Sequence, residues 1–280
     1  MRATMPGSVW GVCMVKDEAD IIAHTIRHFL QQGLDGLIVV DNGSTDATPD
    51  ILRSMATSDA RLFIGVDREP AYHQGRKTSY LAHVAWSAGA DWIVPFDADE
   101  HWFAVGTTLP EFLRGTSATV VECAMFEVYA APEDDTLDLS TARTFQMDVT
   151  PTGWSKVAFR AKPWVWVEMG NHGVKSRGRR EAGLNLRHFP YRSREQVSRK
   201  VVGGRDAVER AFGHRSRFAS HWKEVAHLSD EDLRTRWKAL LGGEKILEGS
   251  PIVPRVIMSA VEPWLSWDPL SELSQRAEGH

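Results

Sequence analysis

Two acidic residues with one residue between them, Asp97 and Asp99, follow the apolar segment WIVPF (residues 92–96). Two carboxylates at this spacing on an exposed turn can both reach one hard divalent cation. An Mg²⁺ or Mn²⁺ ion held in this way can bridge a diphosphate and stabilise the charge that develops on a leaving group. The Asp-x-Asp pattern is weak by itself, and its position directly after a buried strand is what favours a metal site.

The segment DNGSTD (residues 41–46) is a second polar loop that follows an apolar run. Asn-Gly and Ser-Thr-Asp are turn formers, so a purely structural loop is the simpler interpretation. Asp41, however, ends the apolar run, where its carboxylate can accept a hydrogen bond from the N–H group of a nucleotide base. The loop is therefore a candidate nucleotide-binding element.

Both loops follow strands of a predicted α/β unit. Four short apolar runs alternate with helical segments of about ten to fifteen residues, which is typical of βαβ units on a parallel sheet. These runs cover residues 9–15, 37–40, 61–66 and 92–96. Ligands of such sheets bind outside the carboxyl ends of the strands. The acidic residues expected at that edge are Asp17, Asp41, Asp67 and Asp97. Asp17 is also expected to cap the first helix.

The pattern changes beyond residue 105. The sequence predicts a strand over 119–129, a hairpin of 156–160 with 164–168, and a helix opened by a capping box at Ser193 and Gln196. A further helix is predicted from Asp230 to Leu241. We therefore expect a nucleotide-sugar-binding half over 1–105, an acceptor-binding half over 106–200, and a mainly helical extension over 201–280.

The two loops, taken together and in order, resemble the family 2 glycosyltransferases with a GT-A fold. The specific matches are MVKDEADII (14–22), IVVDNGSTDAT (38–48) and GRKTSYLAHVAWSAGADWIVPFDADE (75–100). Looser matches are KVAFR (156–160), GNHGV (170–174) and HFPYRSREQ (188–196). The resemblance covers roughly residues 8 to 200. It implies a Rossmann-like, mostly parallel central sheet flanked by helices, with a helical C-terminal extension.

The resemblance also implies the activity and the roles of several residues. The reaction would transfer a sugar from a nucleotide-diphosphate sugar, with UDP-sugar as the first candidate, to an acceptor hydroxyl on a saccharide or another compound. Asp41 would contact the base and Lys77 the base or phosphate. Asp97 would lie near the ribose and the metal, and Asp99 would be the main ligand of Mn²⁺ or Mg²⁺. The first loop of the family commonly reads Asn-Glu and here reads Asp17-Glu18, so only Glu18 is carried over as a donor-binding residue.

An inverting displacement needs a carboxylate that deprotonates the acceptor hydroxyl. The candidates after the Asp-x-Asp are Glu122, Glu127, Asp135 and Glu168. We favour Glu168, because it ends an apolar segment shortly before the turn at residues 170–172. For a third metal ligand we place His172, in that turn, ahead of His188.

The aromatic residues Trp154, Trp164 and Trp166 could stack on an acceptor sugar ring, although core packing is expected for at least one of them.

The composition is that of a globular protein, with 42% hydrophobic residues among 280 and a net charge of −4. No apolar run approaches the roughly 20 residues that span a bilayer, and the first 15 residues lack a signal-peptide pattern. We expect a cytoplasmic protein, with peripheral membrane contact left open and Cys13 and Cys123 as buried thiols. Residues 175–200 hold nine Lys or Arg and two Glu, which favours a local anionic partner over a nucleic-acid surface; a solvated basic face explains the tract equally well.

Three other functions share parts of this pattern. A sugar nucleotidyltransferase needs a glycine- and arginine-rich phosphate loop after the first strand, and residues 16–19 (KDEA) contain no glycine. A non-catalytic nucleotide-binding module would not need both Asp97 and Asp99. A metal-dependent phosphohydrolase also uses clustered acids, and it would hydrolyse a nucleotide sugar faster than it transfers the sugar.

Overall fold

A computed structural model describes residues 6–71, 73–200, 230–244 and 253–259. Its first half is a four-stranded parallel sheet in the order β3-β2-β1-β4. The strands are β1 (Val9–Val15), β2 (Gly36–Asp41), β3 (Leu62–Val66) and β4 (Trp92–Pro95). The connecting helices are α1 (Ile22–Gln31), α2 (Thr48–Ser58) and α3 (Gln74–Ala88). The predicted α/β class with a central sheet flanked by helices is confirmed.

The second half extends the same sheet with mostly antiparallel strands. Its elements are β5 (Glu100–Ala104), α4 (Leu109–Gly115), β6 (Val120–Ala130), β7 (Thr144–Asp148), β8 (Ser155–Arg160) and β9 (Arg180–Tyr191). Strand β8 joins the halves, because it pairs with β4 on one side and with β6 on the other. Strand β9 pairs with both β5 and β6, so it lies beside the strand that directly follows the Asp-x-Asp.

The C-terminal residues that the structure describes form one helix and one strand. Helix α5 (Asp230–Leu241) has the predicted bounds, and strand β10 (Arg255–Ser259) pairs antiparallel with β7. The guanidinium of Arg255 lies 3.5 Å from the ring centroid of Tyr129, and its Nε lies 3.3 Å from Asp148 Oδ1. These contacts fix β10 to the second half. The predicted continuation of the capped helix to Phe212 lies outside the described residues.

Two local predictions are wrong. Helix α1 begins at Ile22 and Asp17 does not cap it; Asp17 has a φ of 54° and its carboxylate accepts the Thr45 N–H at 2.6 Å. Residues 164–168 do not form a hairpin with β8, because both edges of β8 are already occupied by β4 and β6.

Buried apolar side chains fill both faces of the sheet. One cluster lies around β1, α1 and β4, a second under β7 and α5, and a third between the sheet and α3. Cys13 and Cys123 are buried free thiols, and burial raises the pKa of each. None of the helices in the described ranges is long and apolar enough to cross a membrane.

Candidate active site

The carboxyl ends of β1, β2 and β4 bring the predicted polar loops to one edge of the sheet. Val15 at the end of β1 pairs with Asp41 at the end of β2, and Val12 pairs with Pro95 near the end of β4. Because the three strands are parallel, Asp41 and Asp97 lie on the same edge. The two carboxylates are therefore at the edge of the sheet where the sequence predicts them.

The loop at residues 41–46 is held by its own carboxylate. Asp41 accepts hydrogen bonds from the backbone N–H groups of Gly43 at 3.2 Å and Ser44 at 3.3 Å. Asp17 binds the same loop from the β1 side through Thr45. The loop is thus fixed in place beside β1, with Asp41 buried beneath it.

Lys77, from the first turns of α3, lies beside this loop. Its Nζ is 2.7 Å from Asp67 Oδ2, 3.2 Å from Asn42 Oδ1 and 2.5 Å from the Glu69 carbonyl oxygen. These contacts place one positive charge between the ends of β2 and β3, on the Asp41 side of the edge.

Asp97 has three polar partners from different parts of the chain. Lys156 Nζ donates to Oδ2 at 2.6 Å, while the side-chain amides of Gln74 and Asn171 each donate to Oδ1 at 3.0 Å. Lys156 also pairs with the fully buried Glu100 at 2.7 Å. Burial opposes the charge of Lys156, but Asp97 and Glu100 outweigh this and raise its pKa.

Asp99 is buried in a separate cationic cluster. Lys200 Nζ donates to Asp99 Oδ2, which also lies 3.7 Å from both His188 Nε2 and Arg192 Nη1. Glu18 joins the cluster through ion pairs with Arg192 and Lys200.

Burial and positive charge act in opposite directions on these carboxyls. Burial alone raises the pKa of Asp99, but Lys200 and His188 hold it well below the ordinary value. For Glu18 burial dominates, and its pKa is raised despite Lys200 and Arg192.

The structure distinguishes the two histidine candidates. His188 Nδ1 lies 3.2 Å from Glu127 Oε1, and its Nε2 faces Asp99. Burial lowers the pKa of His188, but Glu127 and Asp99 more than reverse this and raise it to about 10. His172 Nδ1 instead donates to the Ser155 carbonyl at 2.9 Å, and burial lowers its pKa. His188, the second choice from the sequence, is the histidine beside Asp99.

Glu168, the favoured catalytic carboxylate, is exposed at the start of the turn that carries Asn171 to Asp97. Its side chain lies against Gly173. It makes no ion pair within the ranges that the structure covers. Glu127 is bound to His188, and Glu122 pairs with Arg180 at 3.2 Å.

The structure separates Trp154 from the other two predicted tryptophans, and it also separates the arginines of the basic tract. Trp154 is 66% exposed and lies against the His172 ring, with centroids 5.1 Å apart, whereas Trp164 and Trp166 lie on a different segment. In the basic tract, Arg192 reaches Glu18 and Asp20 at the candidate site. Arg180 begins β9, and the twelve-residue strand separates it from Arg192 by about 35 Å.

Three residues of the site were not predicted to take part in it: Lys156, Lys200 and Glu100. Lys156 lies in the quoted KVAFR segment, and its single charge inside an apolar strand was the available signal. Lys200 contacts Asp99 from 101 residues away, which no local pattern encodes. Among the residues with described positions, no three His, Cys, Asp or Glu side chains converge as a metal cluster.

These observations define an α/β protein in which acidic and basic side chains gather at the carboxyl ends of parallel strands. The model of glycosyl transferase family 2 matches residues 12–161, more than half of the chain. The chain therefore belongs to glycosyl transferase family 2 and is a glycosyltransferase, and the expected resemblance is confirmed. The matched range includes the loop at residues 41–46, the Asp-x-Asp and Lys156. No curated protein matches the chain.

Solved structures of glycosyltransferases resemble it at low identity. The TarS 1–349 structure from S. aureus is 10% identical, with a TM-score of 0.43, and the match covers 83% of this chain and 72% of that one. A mannosyltransferase from Pyrobaculum calidifontis, in complex with GDP-Man and Mn²⁺, is 21% identical, with a TM-score of 0.36 and coverages of 54% and 44%. Glucosyl-3-phosphoglycerate synthase from Mycobacterium tuberculosis, with Mn²⁺ and UDP, is 19% identical, with a TM-score of 0.30 and coverages of 43% and 44%.

Proposed function

We propose that this glycosyltransferase uses a nucleotide-diphosphate sugar, with UDP-sugar as the first candidate, and transfers the sugar with inversion to an acceptor hydroxyl. The observation that carries the proposal is the convergence of Asp41, Asp97 and Asp99 at one sheet edge, inside the range that matches family 2. Asp41 and Lys77 flank the nucleotide end of this edge, and Asp97 and Asp99 flank the diphosphate end.

The Asp99 side of the site has a carboxylate and an imidazole that a divalent cation could use as ligands once Lys200 releases Asp99. Asp99 and His188 Nε2 converge at 3.7 Å, and Glu127 holds the opposite ring nitrogen. A carboxylate on the far nitrogen is the usual support of a metal-binding histidine. When bound, Mn²⁺ or Mg²⁺ would neutralise the charge of the leaving diphosphate. Asp99 and His188 would hold the ion, with Asp97 beside it, and Lys200 would have to release Asp99. His172 remains the alternative histidine.

The proposed base for the acceptor hydroxyl is Glu168. Inversion requires a carboxylate on the face of the sugar opposite to the leaving group. Glu168 is exposed and lies on the turn that Asn171 fixes to Asp97. It is therefore near the site, and no lysine or arginine among the described residues neutralises it. The exposed ring of Trp154, next to His172, offers the acceptor saccharide an apolar surface.

Calorimetry with UDP tests the donor proposal. We expect UDP to bind more tightly with Mn²⁺ than with EDTA, and Asp41→Ala to weaken binding in both conditions. A matched control is Asp50→Ala, an exposed acid on α2, which should bind UDP as the wild type does. Metal-independent binding that the Asp41 variant leaves unaltered would contradict the proposal.

The ratio of transfer to hydrolysis separates this function from that of a phosphohydrolase. With a panel of saccharide acceptors, transfer should exceed release of free sugar, and Glu168→Gln should lower transfer while UDP binding stays unchanged. Hydrolysis that dominates with every acceptor would favour the phosphohydrolase.

A further inference from the structure

Residues 161–180 form a two-armed ribbon that lies on α3; we name it the tryptophan ribbon. Its arms meet at an antiparallel bridge between Val167 and Val174. The backbone bond from Lys175 N to the Trp166 carbonyl, at 2.9 Å, flanks the bridge. Val167 and Val174 are buried in the core cluster between the sheet and α3.

The inner face of the ribbon is fixed against α3. Val167 N donates to Ser79 Oγ at 2.9 Å. A Cβ atom at Gly75 would lie only 2.6 Å from the Val167 carbonyl oxygen, so the helix approaches this closely because residue 75 is glycine. The ribbon backbone is therefore held by packing and hydrogen bonds.

Two tryptophans of the ribbon are exposed. Side chains alternate along an extended segment, so Trp166 faces away from its buried neighbour Val167. Trp164 is 80% exposed and Trp166 is 49% exposed. The ring of His83 stacks on Trp164 with centroids 4.4 Å apart, and His83 Nδ1 donates to the Pro163 carbonyl at 2.6 Å. The most exposed indole is thus held in place without being buried.

The second arm of the ribbon is strongly basic. Residues 175–180 read KSRGRR, and Lys175, Arg177, Arg179 and Arg180 are all exposed. Arg179 and Arg180 have acidic partners, Glu181 and Glu122. Lys175 and Arg177 form no ion pair with any residue whose position is described. The tryptophans therefore lie on a ribbon whose other arm has two basic side chains without an acidic partner in the described part of the chain.

We propose that the tryptophan ribbon binds the surface of an anionic lipid bilayer. Indole rings favour the headgroup level of a membrane, where the apolar ring and the polar N–H are both accommodated. Lysine and arginine beside them are attracted by the negative charge of anionic lipids. A saccharide subsite would instead surround the rings with neutral amides and carboxylates that bond sugar hydroxyls, whereas the arm opposite these tryptophans carries the exposed Lys175 and Arg177.

This binding would place the candidate active site close to the lipid surface. The ribbon turns at residues 168–173, and Asn171 in that turn donates to Asp97. Asn171 is the fourth residue after Val167, so the two Cα atoms are at most about 14 Å apart. An acceptor held at the membrane surface would then lie within reach of the site.

Sedimentation with vesicles tests the proposal. We expect the full chain to sediment with vesicles of equal parts phosphatidylcholine and phosphatidylglycerol, less with phosphatidylcholine alone, and progressively less as salt rises. The double variant Lys175→Gln, Arg177→Gln should lower the partition coefficient on anionic vesicles about twenty-five-fold, since each basic residue near such a surface contributes about fivefold. Trp164→Ser, Trp166→Ser should lower it on both vesicle types.

The matched control is Trp154→Ser, which removes a tryptophan outside the ribbon with an exposure between those of Trp164 and Trp166 and should leave vesicle binding unchanged. Thermal unfolding midpoints of all variants should match the wild type, because the changed side chains are exposed. Absence of binding to anionic vesicles, or an equal loss in the Trp154 variant, would overturn the proposal. So would a rise in KM for a soluble saccharide in the Trp164, Trp166 variant without vesicle binding, because the ribbon would then be a sugar subsite.

Discussion

Asp97 and Asp99 are separated by one residue, yet they belong to two different networks. Asp97 is partly open to solvent, and two neutral amides orient it together with Lys156. Asp99 is buried, with a side chain 3% exposed, among Lys200, His188 and Arg192. The first environment fixes the direction of a carboxylate, and the second balances its charge. The two acidic residues of one short motif can therefore have different environments, because their partners come from distant parts of the chain.

The largest expected effect is on kcat, and it should differ between variants of Asp99 and Asp97. Asp99→Asn should lower kcat about a thousandfold, which corresponds to about 4 kcal/mol of transition-state stabilisation, because the proposed metal loses its main charged ligand. Asp97→Asn should lower it less, about tenfold to a hundredfold, since its amide partners can still bond the asparagine oxygen. Steady-state kinetics with the preferred donor would measure both. Equal losses would mean that the two networks act as one.

The two lysines should differ in their effect on stability. Lys156→Met should lower the free energy of unfolding by about 3–5 kcal/mol, because it leaves the fully buried Glu100 without its ion pair. Lys200→Met should cost about 1 kcal/mol or less, because Lys200 is one-third exposed and Asp99 keeps His188 and Arg192. Urea unfolding without metal measures both values. A larger loss for Lys200 than for Lys156 would reverse the comparison.

The parallel half could be predicted from the sequence because its strands are continuous apolar runs, such as VWGVCMV in β1, that end in polar loops. Strand β9 could not be, because REAGLNLRHFPY mixes charges with glycine and proline. Its extended conformation depends on pairing with both β5 and β6. The sequence likewise does not predict that Glu100 begins β5 as a buried acid, because its partners, the Lys156 ammonium, the Trp102 indole N–H and the Asp97 backbone N–H, are brought to it by the fold.

The residues of the site could be predicted only where a local motif marks them. Asp41, Lys77 and Asp97 follow strand ends or begin a helix, so their place on one edge follows from the parallel topology. The partners of Asp99 come from the end of β9, from Arg192 directly after it and from the helical segment 194–200, more than 85 residues later. The choice between His172 and His188 depends on that packing, which explains why the local turn around His172 was the stronger signal in the sequence.

A pH series should separate the two histidines by their effect on stability. The pKa of His188 is raised to about 10 in the folded chain, against about 6.5 when unfolded. Protonated His188 therefore stabilises the fold fully below pH 6.5, and this contribution is lost as the pH rises through 10. With EDTA present, His188→Gln should lower the free energy of unfolding by about 2 kcal/mol at pH 6, the scale of a hydrogen bond to a charged group, and by much less near pH 10. His172→Gln is the matched control: burial lowers the pKa of His172, so no extra stability should disappear over that range. If both variants instead lose the same stability at every pH, the ion pairs of His188 with Asp99 and Glu127 contribute nothing to the stability of the fold. In that case only the activity measurements would distinguish the Asp97 network from the Asp99 network.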